Sequence, residues 1–146
     1  MAKKFRGVEI VQKIDKMLDL GMARFVTLTQ SKLSAASPVL TGRLASSWFV
    51  GKNSPNRRTI GPFEDPWASK EEFDTPSVRV TRYEGEIKFD GDWYISSNLP
   101  YSFRVAFNPE YSKGGRRGGK DWFTRIENNL SRDADRAFNY FLRQVK

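Results

Sequence analysis

The sequence predicts an α+β fold, in which one antiparallel β-sheet packs against a long N-terminal helix and a C-terminal helix. Apolar residues recur with a helical period before residue 38 and again after residue 121. Between these stretches they occur in short alternating runs separated by turn residues, as in β-strands. Helices on either side of a run of strands are typical of one sheet covered by helices. The length of 146 residues fits a single domain spanning residues 1–146.

The first helix is predicted from Val8 to about Ala35. Its apolar residues follow the i, i+3, i+4, i+7 spacing of one helical face, and we interpret that face as core. Gly21 costs roughly 1 kcal/mol relative to alanine inside a helix, so we expect a kink or close packing there. Pro38 ends the helix, because its ring removes a backbone donor and disfavours helical geometry at Ser37.

Residues 38–48 turn the chain from helix to sheet. Thr41 can cap a short turn with its hydroxyl group, and Gly42 permits a close backbone approach that a side chain would block. Leu44 and Trp48 are spaced four residues apart, so both are expected to point from one face of this turn into the core.

The sheet is expected to contain about four strands. The last three are predicted to form an antiparallel meander, because Glu84-Gly85 and Asp90-Gly91 supply tight turns between them. Residues 101–107 are predicted as a further strand or a short helix. The four predicted strands lie at residues 48–50, 78–83, 86–89 and 93–97.

Two long loops are predicted at residues 51–77 and 109–120. The first is rich in proline, with a short strand possible at residues 59–60, and the second is basic and rich in glycine. Asp121 is the predicted N-cap of one amphipathic helix that continues to the C-terminus. We expect the loops to contact neighbouring subunits or other proteins through Arg57, Arg58, Phe63, Trp67, Arg116, Arg117 and Lys120.

Composition excludes several kinds of chemistry. The sequence has no cysteine and no histidine, so disulfides, Cys/His zinc sites and His- or thiol-based catalysis are impossible. No apolar run is long enough to span a membrane and no apolar signal core follows the basic start, so we expect a cytosolic site of synthesis. No cofactor is expected.

The net charge of +8 is concentrated at the two ends of the chain. Residues 1–40 carry seven basic and three acidic side chains, and residues 111–146 carry nine and four, while the middle is close to neutral. This asymmetry indicates either an anionic partner, such as nucleic acid or an acidic protein surface, or simply solvated basic helix faces.

One group of residues has the composition of a catalytic site. Glu86 and Lys88 are two residues apart on a predicted strand and would project from one face. With Asp74 they could form a Mg²⁺-dependent nuclease site, in which carboxylates hold the metal and lysine stabilises developing charge. The alternative is a solvated charge pair. A further alternative function is that of a small basic DNA-binding protein.

Two segments, Thr41-Gly42-Arg43-Leu44-Ala45-Ser46-Ser47-Trp48 and Leu99-Pro100-Tyr101-Ser102-Phe103-Arg104-Val105, resemble those of the tail-completion and neck proteins of tailed bacteriophages, the group that includes minor tail protein Z. In that family a Thr-Gly-x-Leu segment follows a long first helix, and a Pro-Tyr segment comes late in the sheet. A glycine-rich loop, an aromatic pair (here Trp122-Phe123) and a final helix follow. The motif residues carried over are Thr41, Gly42, Leu44, Trp48, Pro100 and Tyr101.

The resemblance implies a non-enzymatic structural protein of the virion that joins the head, on the portal side, to the tail. It implies a homo-oligomeric ring, most simply of about six or twelve copies, assembled in the bacterial host cytoplasm. The implied partners are other neck, adaptor and tail-tube proteins, with packaged double-stranded DNA nearby and no membrane. Where family members often have Glu-x-Gly after the tyrosine, this chain has Val105-Ala106-Phe107-Asn108-Pro109, so the subgroup stays open between tail completion, tail terminator and head-closure adaptor.

Overall fold

A computed structural model describes residues 7–37, 44–58, 80–100, 102–107 and 121–143, and it has an α+β architecture. The longest element is helix α1 (Gly7–Ala36), which matches the prediction to within one residue at each end. Its C-terminal half is buried at Val26, Thr29, Gln30 and Leu33, whereas residues 7–16 are exposed throughout. The interpretation of the whole apolar face as core is therefore wrong for the first turns of the helix.

Two short strands form the sheet within the described residues. Strand β1 (Phe49–Lys52) pairs antiparallel with strand β2 (Trp93–Ser96), so that Phe49 lies opposite Ser96 and Lys52 opposite Trp93. Both strands begin within one residue of their predicted starts. Residues 80–92 contain the predicted strand at 86–89 and the described part of the one at 78–83, and they have no strand structure. The predicted meander is therefore not found among the described residues, which contain two strands, and the prediction of about four strands is not confirmed.

Contacts with distant parts of the chain explain this difference. The backbone N–H of Phe89 donates to Asp19 Oδ1 of α1 at 2.8 Å, and the Phe89 ring packs edge-on against Phe138 with centroids 5.7 Å apart. Tyr83 packs edge-on against Trp93 at 5.2 Å. The alternation of residues 80–89 therefore reflects separate contacts with helices and with an aromatic ring, not two faces of a strand.

The predicted turn at Asp90-Gly91 is present, but it leads into a different pairing. Gly91 has a φ of 144°, which few other residues adopt, and a Cβ there would lie 2.6 Å from Asn53 Oδ1. The N–H of Asn53 donates to the carbonyl oxygen of Asp92 at 2.6 Å, and the N–H of Asp92 donates back to Asn53 Oδ1 at 3.1 Å. Asn53 thus fixes the end of the β1–β2 ladder.

Three helices follow the sheet in the part of the chain that the structure describes. Helix α2 (Ser102–Phe107) settles the alternative left open for residues 101–107, and it is followed by α3 (Trp122–Asn128) and α4 (Leu130–Leu142). The single C-terminal helix that was predicted is broken at Asn129. There the side-chain amide of Asn129 donates to the carbonyl oxygen of Arg125 at 2.8 Å. The backbone N–H of Asn129 donates to the carbonyl oxygen of Ile126 at 3.1 Å. Asp121 precedes α3 as predicted, but with a φ of 57° and no capping bond from its side chain.

Helices α1 and α4 pack antiparallel. Lys32 pairs with Asp133 at 2.5 Å, and the Arg24 guanidinium lies 4.3 Å from the centre of the Tyr140 ring. Gly21 lies directly against Phe138, where a Cβ on residue 21 would come within 2.9 Å of the ring atom Cε1. The helix is continuous at Gly21, so of the two alternatives the sequence left open, close packing is the correct one.

Replacing Gly21 with alanine is expected to destabilise the protein, although alanine is the better helix former. The added methyl group would overlap the Phe138 ring, and overpacking of this kind costs about 1–3 kcal/mol against a gain of about 1 kcal/mol in helix propensity. In a Phe138→Leu background the same change should become neutral or stabilising. Urea unfolding of the four proteins in this double-mutant cycle measures the coupling. Stabilisation of the wild type by Gly21→Ala would contradict the close contact.

Candidate functional site

A buried hydrogen-bond network fastens α1 to the start of the sheet. Gln30 is 2% exposed, and its Nε2 donates to the carbonyl oxygens of Trp48 and Thr81, each at 2.8 Å. The Trp48 indole N–H donates to Ser37 Oγ at 2.8 Å, and the Ser37 hydroxyl donates to the Leu33 carbonyl at 2.6 Å. Every one of these buried polar groups therefore has a partner, which fixes one arrangement of helix and strand.

Trp48 is also the centre of an aromatic cluster. Trp122, which is 1% exposed, packs edge-on against the Trp48 ring with centroids 6.2 Å apart. Phe123 stacks on the same ring with centroids 6.1 Å apart. Leu44 and Leu99 are buried in the same core. The two segments that carry the family resemblance and the aromatic pair Trp122-Phe123 therefore meet in one place.

The predicted structural residues divide into three groups. Leu44 and Trp48 lie in the core, where their spacing places them. Pro100 is exposed, and its neighbour Leu99 is the buried residue. Thr41, Gly42 and Tyr101 lie outside the described residues.

The predicted contact residues Arg57 and Arg58 are both exposed, on a segment whose backbone is well held. The carbonyl oxygens of Asn56 and Arg58 accept from the Asn98 amide at 2.9 and 3.2 Å. The Arg58 guanidinium lies 5.4 Å from the centre of the buried Phe49 ring. These contacts hold the positively charged side chains of Arg57 and Arg58 at one end of the sheet. Phe63, Trp67, Arg116, Arg117 and Lys120 lie outside the described residues.

Glu86 and Lys88, the catalytic candidates, form an exposed ion pair. Lys88 Nζ lies 3.2 Å from Glu86 Oε2, and the Glu86 side chain is 82% exposed. The hydrogen bond and the charge of Glu86 raise the pKa of Lys88 above its usual value, so this lysine stays protonated. Asp74 lies outside the described residues, and within those residues no group of three or more acidic side chains comes together. This geometry favours a solvated charge pair.

The exposed first turns of α1 carry an uncovered apolar stripe, formed by Ile10, Val11 and Ile14, which are 38%, 57% and 39% exposed. At 3.6 residues per turn the stripe continues through Met17 to Gly21, on the face that α4 covers. The sequence predicts this face but not where its cover ends. The only hint was the length of the first helix. With 30 residues it is longer than α4, the 13-residue helix that lies beside it.

Helix α2 presents a second exposed apolar group. Phe103 is 72% exposed and Phe107 is 49% exposed, and their rings lie 4.8 Å apart, one turn from each other on the same face. Phe107 also contacts Phe123 at 5.3 Å, so the pair extends outward from the aromatic core.

An apolar groove of about 690 Å³ runs between α1, β2 and the start of α4. Its walls come from α1, from residues 91–95 and from the α3–α4 region, and two carboxylates, Asp92 and Glu127, lie at its edge, both on exposed residues. The apolar residues that line it are Met22, Phe25, Val26, Ile95, Phe123 and Ile126.

No protein-family model, curated protein or solved structure matches this chain. Among the described residues, no helix combines the length and the apolar character needed to cross a membrane.

Replacing Gln30 with methionine should lower the free energy of unfolding by about 2–4 kcal/mol. The substitution leaves the buried carbonyl group of Trp48 and the partly buried one of Thr81 without this donor, at about 1–3 kcal/mol for each unsatisfied group. Chemical denaturation measures the loss. A loss below about 0.5 kcal/mol, typical of a neutral surface site, would show that these bonds do not hold the helix to the sheet.

Gln30→Glu should add a pH dependence that Gln30→Met lacks. The introduced carboxyl group faces two carbonyl oxygens, so its pKa in the folded state is raised above the unfolded value of about 4.3. The destabilisation relative to wild type is then smallest below pH ~4 and grows as the pH rises toward the folded-state pKa. Denaturation series at several pH values compare the two variants. Parallel pH profiles would contradict the placement of Gln30.

Proposed function

We propose that this protein is a ring-forming structural subunit of a tailed-phage virion, which acts at the neck or tail end to join head and tail. The observation that carries the proposal is the uncovered stripe Ile10, Val11 and Ile14 on a protruding helix. A helical end of about three turns is marginal in water by itself, and an apolar stripe on it gains most of its stability when another surface covers it. A subunit that assembles supplies such a surface.

The second apolar group, Phe103 and Phe107, supports the same role. Aromatic residues are enriched at the centres of protein interfaces, and these two project from a short helix anchored on the core. Arg57 and Arg58 add a positive surface that suits an acidic neighbour or passing DNA. The proposed role is non-enzymatic and uses no cofactor, and the exposed Glu86–Lys88 pair gives no support to a nuclease.

The finer parts of the proposal come from the family resemblance. They are a ring of about six or twelve copies, contacts with other neck, adaptor and tail-tube proteins, and a location in the virion after assembly in the host cytoplasm. Arg116, Arg117 and Lys120 of the glycine-rich loop are proposed to take part in these contacts. The sheet of about four strands also stays a prediction, since residues 59–79 and 108–120 lie outside the described part of the chain.

Ile14→Glu should prevent self-assembly, whereas Gln12→Glu should not. Both variants place the same residue in the same exposed turns of α1 and change the charge equally, but only Ile14 lies in the stripe. Ile14 is 39% exposed, so assembly buries only part of it; the larger cost is the carboxylate that Ile14→Glu places in the contact, and each subunit contact should weaken at least about tenfold. Light scattering across a concentration series, with negative-stain imaging of the same fractions, gives the mass and the shape.

For the wild type we expect closed rings. A wild-type protein that stays monomeric across the series would contradict self-assembly. Equal assembly of the two variants would show that the stripe has no part in it.

A further inference from the structure

Two apolar features of this chain have complementary shapes and lie at separate places. One is convex, the stripe Ile10, Val11 and Ile14 on the protruding end of α1. The other is concave, the groove beside β2. We propose that the groove receives the protruding α1 end of a second copy of this chain, so that subunits join head to tail. This inference rests on the proposed ring-forming function and names the contact that builds the ring.

The groove cannot be filled by the α1 end of its own chain. Met22 and Phe25, which line the groove, belong to the same continuous helix as Ile10. At a rise of 1.5 Å per residue, Ile10 lies roughly 18 Å along the helix axis from Met22. A straight helix cannot fold back on itself, so an α1 end in this groove must come from another molecule.

The two features also match in chemistry. The groove interior is apolar, and its volume of about 690 Å³ is within the ordinary range of sites that bury a ligand. An amphipathic helix that lays one apolar face into such a groove is a common mode of recognition. The branched side chains of Ile10, Val11 and Ile14 supply that face, spaced as anchors at i, i+1 and i+4.

Charge favours the same pairing. The sequence before α1 contains Lys3, Lys4 and Arg6 and no acidic residue, whereas residues 7–16 of the helix carry two basic and two acidic side chains. The groove edge instead carries the carboxylates of Asp92 and Glu127. The basic residues that lead into α1 are therefore attracted to the acidic side chains of the groove, which steers association and favours one orientation of the helix. Two α1 ends packed against each other would instead bring two basic segments together.

The pairing is heterologous, because a protruding end on one copy meets a groove on the next. Contacts of this kind repeat around a ring when the rotation closes, whereas pairing of two identical faces stops at a dimer. This difference allows a direct test.

The absence of native cysteine makes disulfide trapping specific. Val11→Cys protein is mixed with Glu127→Cys protein under mild oxidation, and the linked peptides are identified by mass spectrometry. Glu127 is exposed, so its replacement does not threaten folding. A second groove variant, Leu130→Cys, keeps both carboxylates. Two controls are matched to these pairs: Gln12→Cys, on another face of α1, replaces the helix partner, and the exposed Glu84→Cys replaces the groove partner.

We expect a disulfide between residues 11 and 127, and one between 11 and 130, each at least about tenfold more abundant than in the control pairs, because docking raises the effective concentration. Disulfides that join residue 11 to residue 11 alone would overturn the proposal in favour of paired α1 ends. Absence of both groove disulfides would also overturn it. Rings in wild-type images without these disulfides would leave the proposed function standing and remove this contact. Disulfides in a protein that forms no closed ring would support this contact and contradict the proposed ring-forming function.

Discussion

The rest of the structure depends on how Trp48 is held. Its carbonyl oxygen accepts from Gln30, its indole N–H donates to Ser37, and its ring packs on Trp122 and Phe123. A tryptophan suits this position because it combines a large apolar area with one polar group that needs a partner when buried. Through the backbone and the side chain of this one residue, the end of α1, the start of β1 and the start of α3 are fixed relative to one another.

The same arrangement explains why α1 has one free end. Its later turns are held by the bond from Phe89 to Asp19, by the packing of Phe138 against Gly21 and by the bond from Gln30 to the Trp48 carbonyl group. Residues 7–16 are exposed, and a helical segment of this length depends strongly on its own propensity and on the surfaces that cover it. A rigidly anchored helix with a free apolar end is a suitable device for reaching a neighbouring molecule.

Local sequence signals predicted what depends on near neighbours and failed where distant residues decide. The bounds of α1, the starts of both strands and the close packing at Gly21 follow from periodicity, β-propensity and the missing side chain. The pairing of β1 with β2 could not be predicted in this way. Asp90-Gly91 indicates a turn, but it does not determine which strand the following residues will join. The break at Asn129 depends on one side-chain bond to Arg125 that competes with the helical ladder.

The candidate assembly surface shows the same limit, and it ties the core to the shape of any assembly. Periodicity identifies the apolar face of α1, but the exposure of Ile10, Val11 and Ile14 depends on where α4 ends beside it. If this face docks in a neighbour's groove, the angle between the α1 axis and the groove fixes the rotation from one subunit to the next. Within one chain, the direction of the α1 axis and the position of the groove are both set by the Gln30–Trp48 bond and the Gly21–Phe138 contact. Closure into a ring, as opposed to growth into a filament, would then be determined by the packing of the core.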